Sequence, residues 1–477
     1  MSVKPEQFYS ERAPQRIIGS ECEYNVQQDR EAGKLDLLNG FILDEALLAS
    51  DDEVSVNYHD CTSRVALQNG GFLYPDCEHI EYNTPECRGP REAAAADLAG
   101  ITIMRRIGRS AEGEHHGIYR RTGTAIPGTN LPAGVVRKTS GYHENYLIPF
   151  WAAKSVINST ILPTYLASRS WAWNGMVTPE GYLLSQKVDG IGSEIATSQG
   201  LQRTAEGCKP MAIVLAGNEN DEKVNIGQRW GRVEVRFSDA PLSPKALFMM
   251  FGATSLVLRL VEYQELVSPH FEQFMLEKPV LAAKTTARDL YMRRTHETVS
   301  GKRLSSNNLQ EIIMNEALKL SEKVQMPEDE LLAGEMVLDI CDKQRQCEPY
   351  YEDFSPLIDT VSWAAKYHEG HNRVGIFDFS STNMKAAAFD LLWDRIYPKG
   401  LGQQWWNRQG TSKVVPASKI NRLVSTAPRY TRANFRGQLV AAEMLIDATW
   451  CKIETKDSNK VIVDEPYESK QDHYLLQ

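Results

Sequence analysis

Apolar and polar residues alternate first over residues 16–25 (RIIGSECEYN), which sets Ile17, Glu21 and Glu23 on one face of a strand. A second alternating run, residues 71–83 (GFLYPDCEHIEYN), follows the turn signal Asn69-Gly70-Gly71. Residues 140–150 and 229–237 add two more strands, the latter with Val233, Val235 and Phe237 in strict alternation. Helical spacing fills the intervals. Pro90 opens a helix over residues 91–107, and Ser243-Pro244 supplies a cap and first residue for an apolar helix to about residue 265. Residues 308–325, 328–344 and 361–367 read as further helices. Residues 26–68 form a long connection, with a helical stretch at 42–48. From Pro398 the composition turns to Gly, Gln, Trp and Lys, and residues 426–477 carry short strands and a helix near 434–446. The pattern predicts an α+β chain with a large domain over 1–400 and a small C-terminal domain over 401–477.

The chain has 477 residues, 42% hydrophobic and 24% charged, which excludes disorder, collagen-like repeats and a small disulfide scaffold. Asp plus Glu number 62 against 53 Lys plus Arg, and the resulting charge of -9 argues against a nucleic-acid partner. The eight cysteines form no C-x-x-C pair and read as reduced thiols. The N-terminus carries no apolar signal region, and the hydropathy pattern offers no membrane span, so a cytoplasmic protein is expected.

Residues two apart on a strand face the same way, so Glu21 and Glu23 project carboxylates about 7 Å apart. A solvated strand face is the ordinary reading of such acids. Residues 76–86 (DCEHIEYNTPE) add Asp76, Glu78, Glu81, Glu86 and His79. On a single strand Asp76 and Glu81 cannot share a face without a bulge, which divides them between a metal and a substrate. His143 lies in the aromatic strand GYHENY, where a core histidine is the commoner reading, and Arg232-Val233-Glu234-Val235-Arg236 puts Glu234 and Arg236 on a polar face. Carboxylates with one histidine suit magnesium rather than zinc, and magnesium commonly accompanies phosphate. An arginine beside a metal-binding glutamate is what phosphoryl transfer requires. The sequence contains neither G-x-x-x-x-G-K-[ST] nor G-x-G-x-x-G. Trp405-Trp406 reads either as a peptide-binding patch or as packing, and His115-His116 as a surface loop.

The strings GSECEY, NGGFLYPDCEHIEYNTPEC, SGYHENYL, LSQKVD and STAPRYTRANFRG resemble, in order, the motifs of the family that contains the Pup ligase and the Pup deamidase/depupylase, within the glutamine synthetase-like carboxylate-amine ligases. The resemblance runs from Arg16 to about Trp450. It implies a glutamine synthetase-like antiparallel sheet cradle packed by helices, with ATP and Mg2+ as cofactors. It further implies that Glu21, Tyr74 and Glu81 hold magnesium, with Glu23 and His143 as further members of the metal site. Asp76 would be the catalytic aspartate, Thr84 and Trp450 would contact ATP, and Arg432 and Arg436 would be phosphate-side cations in the small domain. The chain departs from the pattern at Phe72, where the N-G-x-R-L-Y motif has arginine, and at residues 214–221 (VLAGNEND), which stand in place of I-N-T-R-D-E-P-H. The R-V-E-V-R strand is similar to one in glutamate-cysteine ligases, where the glutamate (here Glu234) binds metal and the arginine (here Arg236) faces phosphate.

The resemblance implies an ATP- and Mg2+-dependent ligase that activates a glutamate carboxylate of a small Pup-like protein or peptide, ending in Glu or Gln, and joins it to an amine. Three alternatives stand beside it: an ATP-requiring deamidase or isopeptidase, a small-molecule γ-glutamyl amide ligase, and a catalytically silent peptide-binding homologue. The spacing from Asp76 to His79 and the ANFRG and ATW strings resemble the deamidase branch, whereas the length of the 26–68 connection resembles the ligase. Neither a nucleic acid nor a membrane is expected as partner, and the oligomeric state is left open.

Overall fold

The computed structural model describes residues 13–28, 64–76, 79–110, 116–122, 140–195, 209–212, 214–215, 230–291, 293–347, 353–409, 414–457, 460–463 and 466–467. The helix expected at 42–48, most of the 26–68 connection, His115 and residues 216–221 lie outside them. The chain forms two compact units. One comprises Met1–Arg16, Tyr146–Gly217 and Gln228–Ala387, and the other Ile17–Asn145, Asn218–Gly227 and Ala388–Gln477. The segment from residue 401 falls in the second of these units, together with the first strands of the chain.

In the first unit the centre is the Pro244–Glu262 helix, capped by Ser243, whose Oγ accepts from the Ala246 N–H at 3.2 Å. Its 19 residues are long and apolar enough to cross a membrane, a length missed in the hydropathy pattern. Burial of 89% of that apolar window identifies it as a core helix. The Ser306–Leu320 and Glu328–Gln346 helices pack on it. A Cβ at Gly334 would lie 2.8 Å from Leu256 Cδ2, so a larger residue there would make that leucine side chain shift. Buried charge threads this core. Arg16 donates to Glu262 at 2.7 Å and to Ser255 at 2.8 Å, and Arg259 pairs with both Glu262 and Glu330 at 3.1 Å. Burial pushes the Glu262 carboxyl up, and Arg16 and Arg259 outweigh it, holding the group below its ordinary range.

The sheet of the second unit includes β1 (Ile17–Gln28), β2 (Val65–Ala66), β3 (Phe72–Asp76), β4 (His79–Asn83), β5 (Cys87–Arg88), β6 (His116–Tyr119) and β7 (Tyr142–Pro149), of which β7 enters this unit through Asn145. Their order is β7-β1-β4-β3-β2. The long β1 also pairs antiparallel with β5 at Ile17–Ile18 and with β6 from Asn25 to Gln28. The run expected as one strand over 71–83 is a hairpin of β3 and β4, since alternation with period two is the same in one long strand or two short ones. The reversal sets position 76 opposite position 79, so no bulge is needed to relate positions 76 and 81.

The even-numbered face of β1 packs on the Pro90–Ser110 helix, whose Ala93 to Ala96 and Ala99 are fully buried. Asp97 on that helix accepts from Ser20 Oγ and Tyr142 Oη at 2.8 Å and from Arg120 Nη2 at 2.5 Å. One carboxylate thereby joins β1, β7 and the helix. The C-terminal segment adds the Arg432–Ala441 helix and a sheet of Leu445–Ala448, Lys452–Thr455 and Lys460–Ile462, with a core of Phe72, Phe435, Val440, Leu445, Ile453 and Val461.

Removal of one partner from a buried charge network leaves the others uncompensated. Glu262→Ala therefore lowers unfolding free energy by about 3–5 kcal/mol, whereas Lys278→Ala, at an exposed pair, changes it by less than about 0.5 kcal/mol. Urea denaturation of both variants checks the contrast.

Candidate active site

Register brings the carboxylates together. Glu23 on β1 stands opposite Glu81 on β4, Glu21 opposite Asn83, and Glu81 opposite Tyr74 on β3. These residues share one face across three neighbouring strands, the face turned away from the Asp97 helix. Glu23 and Glu81 are buried and Glu21 is partly so.

Each carboxylate is oriented by a neutral donor. The Tyr74 hydroxyl donates to Glu81 Oε1 at 2.6 Å and Asn83 Nδ2 donates to the same oxygen at 2.9 Å. His143 Nδ1 lies 3.0 Å from Glu21 Oε2, and Asn145 Nδ2 donates to Glu21 Oε1 at 3.2 Å. The Gly141 N–H donates to Glu23 Oε2, and His79 Nε2 stands 3.9 Å from that oxygen. A Cβ at position 141 would fall 2.3 Å from Glu23 Oε1, so glycine is what lets the β7 backbone reach the carboxylate.

Burial, and after it the negative charge of Glu21, pushes the Glu81 carboxyl from 4.5 up to about 8, although the bonds from Tyr74 and Asn83 oppose the shift. Burial followed by Glu81 and Glu21 likewise holds the Tyr74 phenol protonated, well above its usual range. Among the described residues, no lysine or arginine pairs with Glu81. Crowded acids with orienting amides, a phenol and an imidazole form an oxygen-rich donor set, and it fits a hard divalent cation such as Mg2+.

Of the residues expected from the sequence, Glu21, Glu23, Tyr74, Glu81 and His143 meet on this face. Asp76 ends β3 opposite His79, and its side chain lies outside the described residues. Thr84 is buried beyond β4, where its hydroxyl accepts from the Ser20 N–H at 2.8 Å and its own N–H donates to the Ser20 carbonyl at 3.0 Å. Arg432 Nε and Arg436 Nη2 each donate at 2.6 Å to a different oxygen of Glu86. Arg436 also donates to the Gly70 carbonyl at 2.9 and 2.6 Å and to the Trp450 carbonyl at 3.3 Å, and Trp450 meets Phe72 edge-on at 4.8 Å. Glu234 belongs to the first unit and is buried, with Arg236 at 2.5 Å and Arg232 at 3.2 Å. Trp405 and Trp406 are buried, which favours the packing role.

Spacing does not single out Asn83 or Asn145, and it places His79 and Glu86 in the 76–86 cluster without giving either a role. Alternation could have found Asn83, two residues beyond Glu81, and Asn145, two beyond His143. The bridging role of Glu86 has no local signal, because its partners are 346 and 350 positions away.

The profile described as Pup-ligase protein matches residues 16–454. The chain belongs to the Pup-ligase family. Among its relatives, a Pup--protein ligase of Acidimicrobium ferrooxidans is 26% identical over 422 residues, covering 86% of this chain and 88% of its own length. A depupylase of Acidothermus cellulolyticus is 27% identical over 393 residues, covering 80% and 72%. The ligase PafA in complex with Pup superposes with a TM-score of 0.74 at 20% identity, covering 96% of this chain and 90% of that one. PafA in complex with ADP gives 0.70 at 21% identity, covering 87% and 89%. The fold is therefore that of PafA, a mixed architecture of helices and antiparallel sheet.

The Glu81 carboxyl titrates near 4.5 when unfolded and about 8 when folded, so folding takes up a proton in that window and stability falls as pH rises through it. In EDTA, the wild type should lose unfolding free energy between pH 5 and pH 8, and Glu81→Gln should remove most of that loss. Urea titrations across this range decide it; an unchanged slope in the variant would contradict the assignment.

Proposed function

We propose that this chain is an ATP- and Mg2+-dependent ligase that activates a glutamate carboxylate of a small Pup-like protein or peptide as an acyl phosphate and joins it to an amine. The observation that carries the reading is the face of Glu21, Glu23 and Glu81, on which Glu23 and Glu81 are buried and Glu81 has no cationic partner among the described residues, in a chain of the Pup-ligase family. Glu21, Tyr74 and Glu81 would hold the magnesium, with Glu23 and His143 completing the site. Bound there, Mg2+ offsets the charge of the triphosphate and of the incoming carboxylate. A glutamate carboxylate oxygen then attacks the γ-phosphorus and ADP leaves; the amine attacks the acyl carbon, phosphate leaves, and Asp76 removes the amine proton.

Thr84, Trp450, Arg432 and Arg436 form the nucleotide side in this reading, with the segment from residue 401 contributing it. Arg436, whose donors are taken by Gly70, Trp450 and Glu86, acts by fixing that wall. Glu234 and Arg236 belong to the first unit and are tested by their own substitutions. An amide-hydrolysing reaction at the same site, removing ammonia from a C-terminal glutamine or cleaving an isopeptide, is the second reading, supported by the depupylase relatives at equal identity.

Incubation with ATP, Mg2+ and small proteins ending in Glu or Gln, followed by ADP release and intact mass, separates the two. Condensation with an amine and stoichiometric ADP support the ligase; conversion of a terminal Gln to Glu without stoichiometric ADP supports the hydrolase. ADP release with free glutamate alone would point to a small-molecule ligase, and no turnover under any condition would overturn both readings. Glu81→Gln should lower the rate by about 100-fold or more, and Asn145→Ala, which removes one donor from the Glu21 carboxylate, should raise the Mg2+ requirement about 10- to 100-fold.

A further inference from the structure

The pairing of β2 with β3, Val65 opposite Leu73, brings Arg64 level with Tyr74. The Arg64 guanidinium carbon lies 5.6 Å from the Phe72 ring centroid and 5.9 Å from that of Tyr74. Tyr74 is the residue whose hydroxyl reaches Glu81, so this cation stands beside the carboxylate face. Four arginines of the unit are neutralised by carboxylates: Arg120 by Asp97, Arg121 by Asp390 and Asp394, and Arg432 and Arg436 by Glu86. Among the described residues Arg64 has no such carboxylate. β3 itself, FLYPD, contributes no cation.

A guanidinium held over ring faces is positioned through its π-face and its stem, which leaves the N–H donors at its edge available. Those donors form a fork suited to two oxygens of one phosphate. Burial of carboxylates beside it excludes a second anion unless a cation accompanies it, and an arginine held by aromatic rings meets that need without being neutralised beforehand. We propose that Arg64 is a phosphate-binding residue that contacts the terminal phosphates of the nucleotide. The proposal rests on the functional reading above and assigns to β2 a role that Phe72 on β3 cannot fill.

The test uses the full chain and titration calorimetry with Mg2+ and AMP-PNP, ADP or AMP. Arg64→Gln should weaken AMP-PNP binding about 10- to 100-fold and leave AMP within about threefold, with Arg64→Lys between wild type and Gln for AMP-PNP because a point charge replaces the fork. Urea midpoints check folding; should the Gln variant not fold, Arg64→Met, which keeps the stem over the rings, carries the same comparison. Equal losses for AMP-PNP and AMP, or none for either, overturn the assignment and leave Arg64 a covering residue of Phe72 and Tyr74. Wild-type protein that binds none of the three nucleotides overturns the functional reading and this assignment together, a result distinct from tight binding by wild type and variant alike.

Discussion

Glu23 and Glu81 stand opposite each other on neighbouring antiparallel strands with Glu21 beside them, and this like-charge crowding governs the second unit. Cross-strand acids repel and burial adds a desolvation cost, so the arrangement persists only if something else fixes the register. The opposite face of β1 provides it. Ser20 is hydrogen-bonded to Asp97, and Asp97 is tied to Arg120 and Tyr142 beneath an alanine-rich helix, so a one-residue slip would break that network. The charge is then managed locally: the Glu81 carboxyl holds its proton up to about pH 8 in the absence of metal, and Tyr74 and Asn83 supply neutral donors. A divalent cation would take the place of that proton.

The C-terminal segment is attached to the same strands by a second buried charge centre of opposite design. Glu86 follows β4, and two guanidinium groups from the Arg432–Ala441 helix reach its two oxygens. Burial pushes the Glu86 carboxyl up, and Arg436 and Arg432 reverse the shift and hold it below its ordinary range. Arg436 lies 4.8 Å from the Phe72 ring and 5.1 Å from the Trp450 ring, so the same side chain that holds the segment also orders the aromatic wall beside β3. One unit therefore carries an acidic face on which Glu81 has no cationic partner among the described residues, and beyond β4 a carboxylate, Glu86, neutralised by two arginines.

Much of the fold was legible because its elements obey local periodicity. The Pro90–Ser110 and Pro244–Glu262 helices begin where proline and the serine cap place them, and β1, β7 and the Trp230–Val235 strand follow their alternation. The β3–β4 hairpin was not legible, because its two strands continue one alternating pattern across the reversal. The grouping of the C-terminal segment with the first strands was not legible either: Arg436 and Glu86 are far apart in sequence, and nothing local to either marks the partner. Glu234 reads as a polar-face acid by alternation alone, and two flanking arginines accompany it into a buried position.

The sequence by itself determined which residues can do the chemistry and the family to which the chain belongs, because motif order and side-chain type are local properties. It also determined that Glu21 and Glu23 share a face, since a strand has a period of two. Tertiary structure alone decided that Glu81 and Tyr74 join them, through a hairpin register, and that Arg64 is placed over Tyr74 by the next strand. It decided too that Arg436 is bound to Glu86. Pairing between strands and between distant segments depends on packing and desolvation summed over the whole unit, and no short stretch of sequence contains that sum.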